Sequence, residues 1–363
     1  MRLLLASACL WLAACSSPSA SLAERLTTPG GTSPLLDPAQ IAATIATLPN
    51  RSGTVTARTG VALFWRAFDP GDYGLRYRYQ VPEHERGSAL GIDLRLAPPH
   101  PFRPRPPRGT VVVLHGWMMS GDSMLPWSLQ LAQAGYRVVT IDLRNHGHSG
   151  SGPAGYGTVE SAEVSDVIAA LRRRGEVQGP LYLFGVSYGA ATAVFTAEKL
   201  GPEVAGVVAM ESFANAGDAI RTMVPHMLAL RPDGWQAQAM SLYARWRYDG
   251  LDMDTVITAA NERLGLDLDH VDVVRALAAT RACVLVVHGA GDEHIPVSQG
   301  RRLGRASTRT HYIEVRGEDH ITLPMRLDLL GPVVDTWLAD DAQAPAGLCP
   351  APRLQTGMTA SSR

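Results

Sequence analysis

The sequence lacks an excess of charge of either sign. Its 363 residues include 33 lysines and arginines and 34 aspartates and glutamates, which leaves a formal net charge of −1. Such a balance creates no field that would concentrate nucleic acid. We therefore expect no nucleic-acid partner. Paired-cysteine and His-Glu-x-x-His spacings are also missing, so we expect neither a metal site nor a cofactor.

The N-terminal segment, MRLLLASACLWLAAC, has one charge, Arg2, followed by an apolar run too short to span a bilayer. This pattern predicts an export signal over residues 1–14. The segment ends in Leu12-Ala13-Ala14-Cys15, which resembles the lipobox of bacterial lipoproteins. The resemblance implies that Cys15 becomes an N-terminus carrying acyl chains such as palmitate, which anchor the protein in the cell envelope, on the periplasmic side or in the outer membrane. A plain cleaved signal, in which Cys15 has no role, is the alternative.

Composition divides the rest of the chain. Residues 15–50 are expected to form the lipidated N-terminus and a flexible tether, because 16–34 are rich in serine, proline, threonine and glycine. An α/β core is expected in two parts, with a helical cap inserted after its sixth strand and a disordered tail at the end. The corresponding ranges are 51–212 and 282–341 for the core, 213–281 for the cap and 342–363 for the tail.

Two further cysteines follow Cys15. Cys283 lies in the apolar run CVLVV, and Cys349 lies in a tail rich in proline and alanine. An oxidising compartment permits a disulfide between them. We favour a free, buried Cys283, because cysteines in strands commonly act as small apolar residues.

From residue 61 onward the chain has the pattern of a sheet protein. The runs VALFWRAF, LRYRYQV and ALGIDLRLA predict an antiparallel edge. After Gly109, short apolar runs alternate with amphipathic stretches, which predicts a mostly parallel central sheet with helices on both faces. Between Glu211 and Cys283 about seventy residues, mostly helical by pattern, replace a single crossover, and they predict the cap.

The stretch LFGVSYGAA, residues 183–191, fits the G-x-S-x-G nucleophile elbow. A credible strand, LYLFG, precedes Ser187 and a credible helix follows it, which is the context that the motif requires. Glycines at 185 and 189 let the strand and helix approach closely. We therefore predict that Ser187 is a nucleophile exposed at the carboxyl edge of the sheet.

A serine hydroxyl needs a base and a group that orients the base. Asp292 follows the apolar run CVLVVHG and His320 follows HYIEVRG, so both are expected in loops at the same sheet edge as Ser187. We predict His320 as the base and Asp292 as its acid. Glu211, at the end of the run GVVAMES, is the alternative acid.

Serine, acid and histidine in this order resemble the α/β-hydrolase superfamily, over residues 55–340, and the predicted fold class is therefore the α/β-hydrolase fold. LHGWMMSGDS resembles the family's oxyanion loop, which implies that the amides of Trp117 and Tyr188 form an oxyanion hole. DLRNHGHSG resembles a family turn, with Asn145 where glycine is usual. Other histidines of these loops are expected to hold the loops by hydrogen bonds: His115, His146, His148 and His294.

The resemblance implies a serine hydrolase of the carboxylesterase or lipase type that cleaves an ester, a thioester or an amide through an acyl-enzyme. Its partner would be a small or lipid-like acyl substrate. An acyltransferase that uses the same intermediate is one alternative. A lipoprotein that keeps the fold as a binding module without catalysis is the other. Oligomeric state and substrate identity are left open by the sequence.

Overall fold

The computed structural model describes residues 17–30, 37–80, 91–99, 101–232, 234–345 and 347–360. The predicted export signal and Cys15 lie outside the described residues. Among the residues described, no helix is both long and apolar enough to cross a bilayer.

Nine strands of the described ranges form the central sheet, in the order β1-β2-β6-β5-β7-β8-β9-β10-β11. The strands from β6 to β10 in this order are parallel to one another. At one side β2 pairs antiparallel with both β6 and β1, and at the other β11 pairs antiparallel with β10. Every residue of β5, β7 and β9 is buried, as expected for strands covered on both faces. The bounds of these nine strands are Arg51–Thr56 (β1), Ala62–Phe68 (β2), Thr110–Leu114 (β5), Arg137–Ile141 (β6), Leu181–Val186 (β7), Val204–Met210 (β8), Cys283–Gly289 (β9), Thr310–Val315 (β10) and Met358–Ala360 (β11).

Helices cover both faces of the sheet, and successive strand residues feed two separate apolar cores. Val112 and Leu114 of β5 join one core, and Val111 and Val113 join the other. The helices are Pro18–Thr27 (α1), Pro38–Ala46 (α2), Leu125–Gln133 (α3), Thr158–Arg173 (α4), Tyr188–Leu200 (α5), Ala216–Ala229 (α6), Trp235–Tyr248 (α7), Met253–Leu264 (α8), Val273–Ala279 (α9), Val297–Gly304 (α10) and Leu327–Asp341 (α11). Helices α4 and α5 contribute to the first core, and α3 and α11 to the second. This architecture agrees with the predicted fold class.

The antiparallel edge differs from the prediction in one respect. Of the three runs expected there, only β2 joins the central sheet, where it pairs with β1. The other two form a separate two-stranded sheet, Arg76–Gln80 (β3) and Gly91–Arg95 (β4), which pairs within itself. Its Tyr77 hydroxyl donates to the carbonyl of Met325, close to the start of α11.

The expectation of a flexible tether over 15–50 is wrong where the structure describes it. Helix α1 begins at a proline after Ser17, whose side chain accepts from the Ala20 amide, and helix α2 begins in the same way after Asp37. Leu22, Ala23 and Leu26 of α1 are buried in the first core. The serine and proline that suggest disorder by composition are here the capping residues of short helices.

The expected disordered tail is also contradicted over its described residues, 342–345 and 347–360, and so is the expected free Cys283. Cys283, at the start of β9, forms a disulfide with Cys349. The tail is also held by a hydrogen bond from Trp337 Nε1 to the carbonyl of Pro350 at 2.9 Å, and by the pairing of β11 with β10. The disulfide joins the amino end of β9 to the tail that follows α11, a proximity that spacing in sequence does not reveal.

Helices α6 to α9 form the insertion between β8 and β9. Along the chain, β8 is the sixth strand of the central sheet, which is the predicted position of the cap. An isolated bridge between Asn215 and Asp272 places the chain before α6 next to the chain before α9. Helices α6 to α8 therefore form the cap, which leaves and rejoins the core at adjacent points just after β8. Helix α9 packs on α5 and leads back to the amino end of β9.

Candidate active site

Ser187 occupies the sharp turn between β7 and α5. Its φ of 52° and ψ of −115° lie in a region that residues other than glycine rarely adopt. A Cβ on Gly185 would collide with the carbonyl of Gly189, and one on Gly189 would collide with the carbonyl of Leu114. Both glycines are therefore required by close backbone approach, as predicted.

The structure brings Ser187, His320 and Asp292 together. His320 Nε2 lies 3.0 Å from Ser187 Oγ, and its Nδ1 lies 2.7 Å from Asp292 Oδ2. A carboxylate only accepts hydrogen bonds, so Nδ1 carries the proton and Nε2 is left to accept from the serine hydroxyl. This arrangement can remove a proton from Ser187 and stabilise the imidazolium that results.

The loops that carry the acid and the histidine support one another. Asp292 follows β9 and His320 follows β10, and the Gly291 amide donates to the carbonyl of Glu318 at 2.9 Å. The second oxygen of Asp292 accepts from the Ile295 amide at 2.8 Å. Asp292 is thus held on both oxygens, which restricts the plane in which it can meet His320.

The electrostatics around Asp292 favour its charged form. Burial by itself would raise the pKa of Asp292, but hydrogen bonds from His288 and His320 outweigh the burial and hold that pKa well below its usual range. The carboxylate therefore remains ionised at neutral pH, as a partner of an imidazolium must.

Glu211 lies beside Asp292 and contacts Gly289 and His288. Its Oε1 accepts from the Gly289 amide at 3.1 Å, and its Oε2 lies 3.3 Å from His288 Nε2. Burial, and after it the neighbouring Asp292, raises the pKa of Glu211 well above the ordinary value. The described geometry thus pairs His320 with Asp292, and it leaves Glu211, the alternative acid, as a neutral neighbour of Asp292.

His288 is a participant that the sequence reasoning missed. Its Nε2 lies 2.8 Å from the carbonyl of Ile295 and 3.3 Å from Asp292 Oδ2, so this nitrogen carries the proton. Within the described ranges, Glu211, His288 and Asp292 are the one set of three potential metal ligands, with ligand atoms within 4.8 Å of one another. Hydrogen bonds to nearby backbone hold the three side chains together: Glu211 accepts from the Gly289 amide, while His288 and Asp292 both bond to the backbone of Ile295. At the end of a buried strand, His288 has no sequence signal that separates it from a core residue.

Glu211→Gln is expected to change how stability depends on pH. The pKa of Glu211 is raised in the folded protein, whereas in the unfolded chain it is about 4.3. Above pH 4.3 the unfolded chain therefore binds fewer protons than the folded protein, so the free energy of unfolding declines as pH rises. Glutamine removes this contribution while keeping the shape. Melting temperatures measured from pH 5 to pH 8 should show the variant gaining on the wild type as pH increases. A difference between the two proteins that stays constant with pH would contradict the neutral state of Glu211.

The loop that contains Trp117 contacts the serine turn. A Cβ on Gly116 would lie 3.5 Å from Ser187 Cβ, so the backbone of this loop passes directly beside the serine. The Trp117 ring packs edge-on against Tyr188 at 5.2 Å between centroids. Tyr188 is the first residue of α5, where backbone amides have no partner within the helix. The two predicted oxyanion donors therefore belong to adjacent segments.

Two buried histidines hold the loop to the turn that carries Asn145. His115 Nε2 accepts from the Leu143 amide at 3.0 Å, and His146 Nε2 accepts from the Met118 amide at 3.3 Å. Burial lowers the pKa of each of these histidines to about 4, so both are neutral at pH 7. Their predicted role in holding loops agrees with these contacts.

Asn145, the departure from the family turn, has a φ of 69°, a left-handed conformation that asparagine tolerates better than most residues. Its side chain donates to the carbonyl of Gly152 at 2.7 Å and accepts from that residue's amide at 3.0 Å. The turn therefore keeps its shape without the usual glycine.

The remaining two loop histidines differ in their surroundings. His294 stacks on the ring of His320 at 5.3 Å, and burial, followed by the nearby His320 and His226, lowers the pKa of His294 to about 4. His148 is exposed, with its amide donating to Asp142 at 2.8 Å. The ring centroids of His226, in helix α6, and His294 lie 4.5 Å apart. The cap therefore contacts His320 indirectly, through His294.

Comparison with known proteins agrees with this architecture. A profile described as the alpha/beta hydrolase family matches residues 111–328. The chain is 28% identical to uncharacterized protein YqkD of Bacillus subtilis over 110 residues, which cover 30% of this chain and 35% of YqkD. The match thus spans about a third of that relative's length.

Solved structures show the same fold at low identity. An esterase of Pyrococcus furiosus, Pf2001, gives a TM-score of 0.58 at 14% identity and covers 88% of this chain and 97% of its own. A bromoperoxidase from Bacillus anthracis gives a TM-score of 0.51 at 15% identity, with coverages of 80% and 100%. The family profile covers more than half of the chain, and the strand order and layered helices agree with it. This chain therefore belongs to the alpha/beta hydrolase family.

Proposed function

We propose that this protein is a serine hydrolase of the cell envelope, which acts through an acyl-enzyme. Its proposed substrates are carboxylic esters and thioesters, with amides as a further class. The carrying observation is the pair of contacts made by His320, 3.0 Å to Ser187 and 2.7 Å to Asp292. The envelope location rests on the N-terminal sequence, in which Cys15 is the proposed site of lipid attachment.

In the proposed acylation step, Ser187 Oγ bonds to the substrate carbonyl carbon while its proton moves to His320 Nε2. The carbonyl oxygen becomes an oxyanion, for which the amides of Trp117 and Tyr188 are the proposed donors. His320 then gives its proton to the leaving oxygen or sulfur as that bond breaks. Asp292 stabilises the imidazolium through Nδ1.

Deacylation repeats these roles with water. His320 removes a proton from a water molecule, whose oxygen attacks the acyl carbon. When the tetrahedral adduct collapses, the proton returns to Ser187 Oγ and the carboxylic acid leaves. The similar fold of the Pyrococcus esterase supports a hydrolytic role of this kind.

A fluorophosphonate probe tests the proposed nucleophile directly. The probe should form a covalent adduct with the folded protein, and peptide mapping should place that adduct on Ser187, because activation needs the base within hydrogen-bond reach. Heat-unfolded protein serves as the control and should not react. The proposal fails if folded protein forms no adduct, or if the adduct maps to another serine.

A further inference from the structure

Helix α7 of the cap turns its apolar side outward. Trp235, Leu242 and Trp246 are 77%, 69% and 77% exposed, and Tyr243 is exposed beside them. Positions 235, 239, 242 and 246 follow the spacing of one helical stripe, so these side chains share one face. A surface helix normally buries such a stripe, whereas here the stripe faces outward.

The opposite side of α7 is too small and polar to explain this orientation by packing. Tyr248 is the one buried residue of the helix, and Ala237, Ser241 and Ala244 on the same side are only partly buried. The neighbouring cap helix α8, by contrast, buries Val256 and Ile257. Helix α7 therefore contributes little to the core of the cap, and its large apolar side chains are left for another surface.

The chemistry of the outward face fits the boundary between lipid and water. Tryptophan and tyrosine are enriched at that boundary, because their rings are apolar and carry one polar group. Helix α7 also contains two arginines and no acidic residue, and a further arginine, Arg231, is exposed just before it. Arginines flanking an apolar face are attracted to anionic head groups while their stems lie along the acyl boundary.

The N-terminus of the described chain lies on the same part of the cap. Helix α1 packs against α8, and Ser21 Oγ of α1 is 3.1 Å from the hydroxyl of Tyr248 at the end of α7. Only Ser16 separates Ser17, the first described residue, from the proposed lipid site at Cys15. Helix α1 therefore contacts the cap at the end of α7, on the side opposite the outward face.

The same region adjoins the candidate active site. Met227 and Leu230, at the end of α6, are exposed, and His226 beside them contacts His294, which stacks on His320. The apolar surface therefore continues from α7 toward the group that contains Ser187. A lipid layer against this surface would therefore lie near the part of the candidate active site that the cap contacts.

We propose that the outward face of α7, formed by Trp235, Leu242, Tyr243 and Trp246, docks on the surface of an anionic phospholipid bilayer. Docking holds the cap against the membrane even when no acyl chain is attached. The proposal does not depend on the catalytic roles assigned above.

The test uses the chain from residue 15 onward with Cys15→Ser, which keeps every described residue and carries no acyl chain. Flotation with vesicles of phosphatidylcholine, alone or mixed about two to one with phosphatidylglycerol, gives the lipid concentration for half binding. Leu242→Ser is compared with Leu348→Ser, because Leu348 is 64% exposed and lies in the tail beside Cys349, outside helix α7. Trp246→Ser is a second variant of the face.

Leu242→Ser and Trp246→Ser are each expected to weaken binding to the anionic vesicles by about tenfold, the loss for one large apolar side chain, whereas Leu348→Ser should change it less than about twofold. All three variants should melt like the parent and hydrolyse a short-chain ester in water at its rate, which separates this test from the catalytic one. The proposal is overturned if the face variants bind as the parent does or lose no more than Leu348→Ser. It is equally overturned if the parent is a dimer that Trp246→Ser makes monomeric, since a second copy then covers the face.

Discussion

Ser187→Ala is expected to lower kcat for hydrolysis of a short-chain ester by about 10⁵-fold to 10⁶-fold, the range seen when an activated nucleophile is removed from a serine hydrolase. Alanine removes the oxygen that lies 3.0 Å from His320 Nε2, and it leaves the proposed oxyanion donors in place. A small rate above that in water should therefore persist. Initial rates at saturating ester, with melting temperature as the check on folding, measure the effect.

Ser212→Ala is the matched control for this variant. Ser212 is also a buried serine just beyond the carboxyl end of a parallel strand, β8, but its hydroxyl donates to the carbonyl of Phe213 at 3.0 Å. Among the described residues no base is hydrogen-bonded to the Ser212 hydroxyl, so its loss should change kcat by less than about tenfold, through small shifts in geometry. Equal losses in the two variants would mean that Ser187 acts through structure and would remove the basis of the proposed mechanism.

Asp292→Asn is expected to lower kcat by about 10⁴-fold, because an amide cannot stabilise the imidazolium and can favour the wrong tautomer of His320. The substitution preserves volume, and the amide oxygen can still accept from the Ile295 amide, which now bonds to Asp292 Oδ1 at 2.8 Å. The loss should therefore appear in kcat without a comparable loss of folded protein. Rates measured across pH and the melting temperature distinguish these two effects.

Glu211→Gln provides the comparison that decides between the two acids. Glu211 approaches His288 at 3.3 Å, and a raised pKa keeps it neutral, so glutamine should leave kcat within about tenfold of the wild type. If Glu211→Gln caused the larger loss and Asp292→Asn the smaller one, the acid that orients His320 would be Glu211.

The sequence is most informative where chain topology determines position. A parallel sheet brings the carboxyl ends of its strands to one edge, so Ser187, Asp292 and His320 can be expected together once each is assigned to a loop after a strand. The elbow is also visible in the motif itself: Gly185 is required by the backbone of Gly189 and Ala190, whereas Gly189 is required by the backbone of Leu114 in the neighbouring strand. Their placement agrees with the expectation drawn from the motif.

Features that depend on distant contacts are less accessible. The burial of α1 depends on a surface supplied by α8, more than two hundred residues later. Pairing of Cys283 with Cys349 depends on the path of the tail after α11. His288 takes part in the site through its contacts with Asp292 and the carbonyl of Ile295. The pattern of apolar residues in a buried strand does not predict such contacts.

Strand β11 is the outermost strand of the sheet and covers the free edge of β10 with three residues. So short a strand contributes few ladder bonds, and the covalent attachment of Cys349 to β9 and the hydrogen bond from Trp337 to Pro350 help to hold it in place. A reducing agent would therefore loosen this cover and expose the amides and carbonyls of β10, which can template pairing with another molecule. The purified protein is therefore expected to aggregate more readily when a reducing agent is present, and it is best handled without thiols.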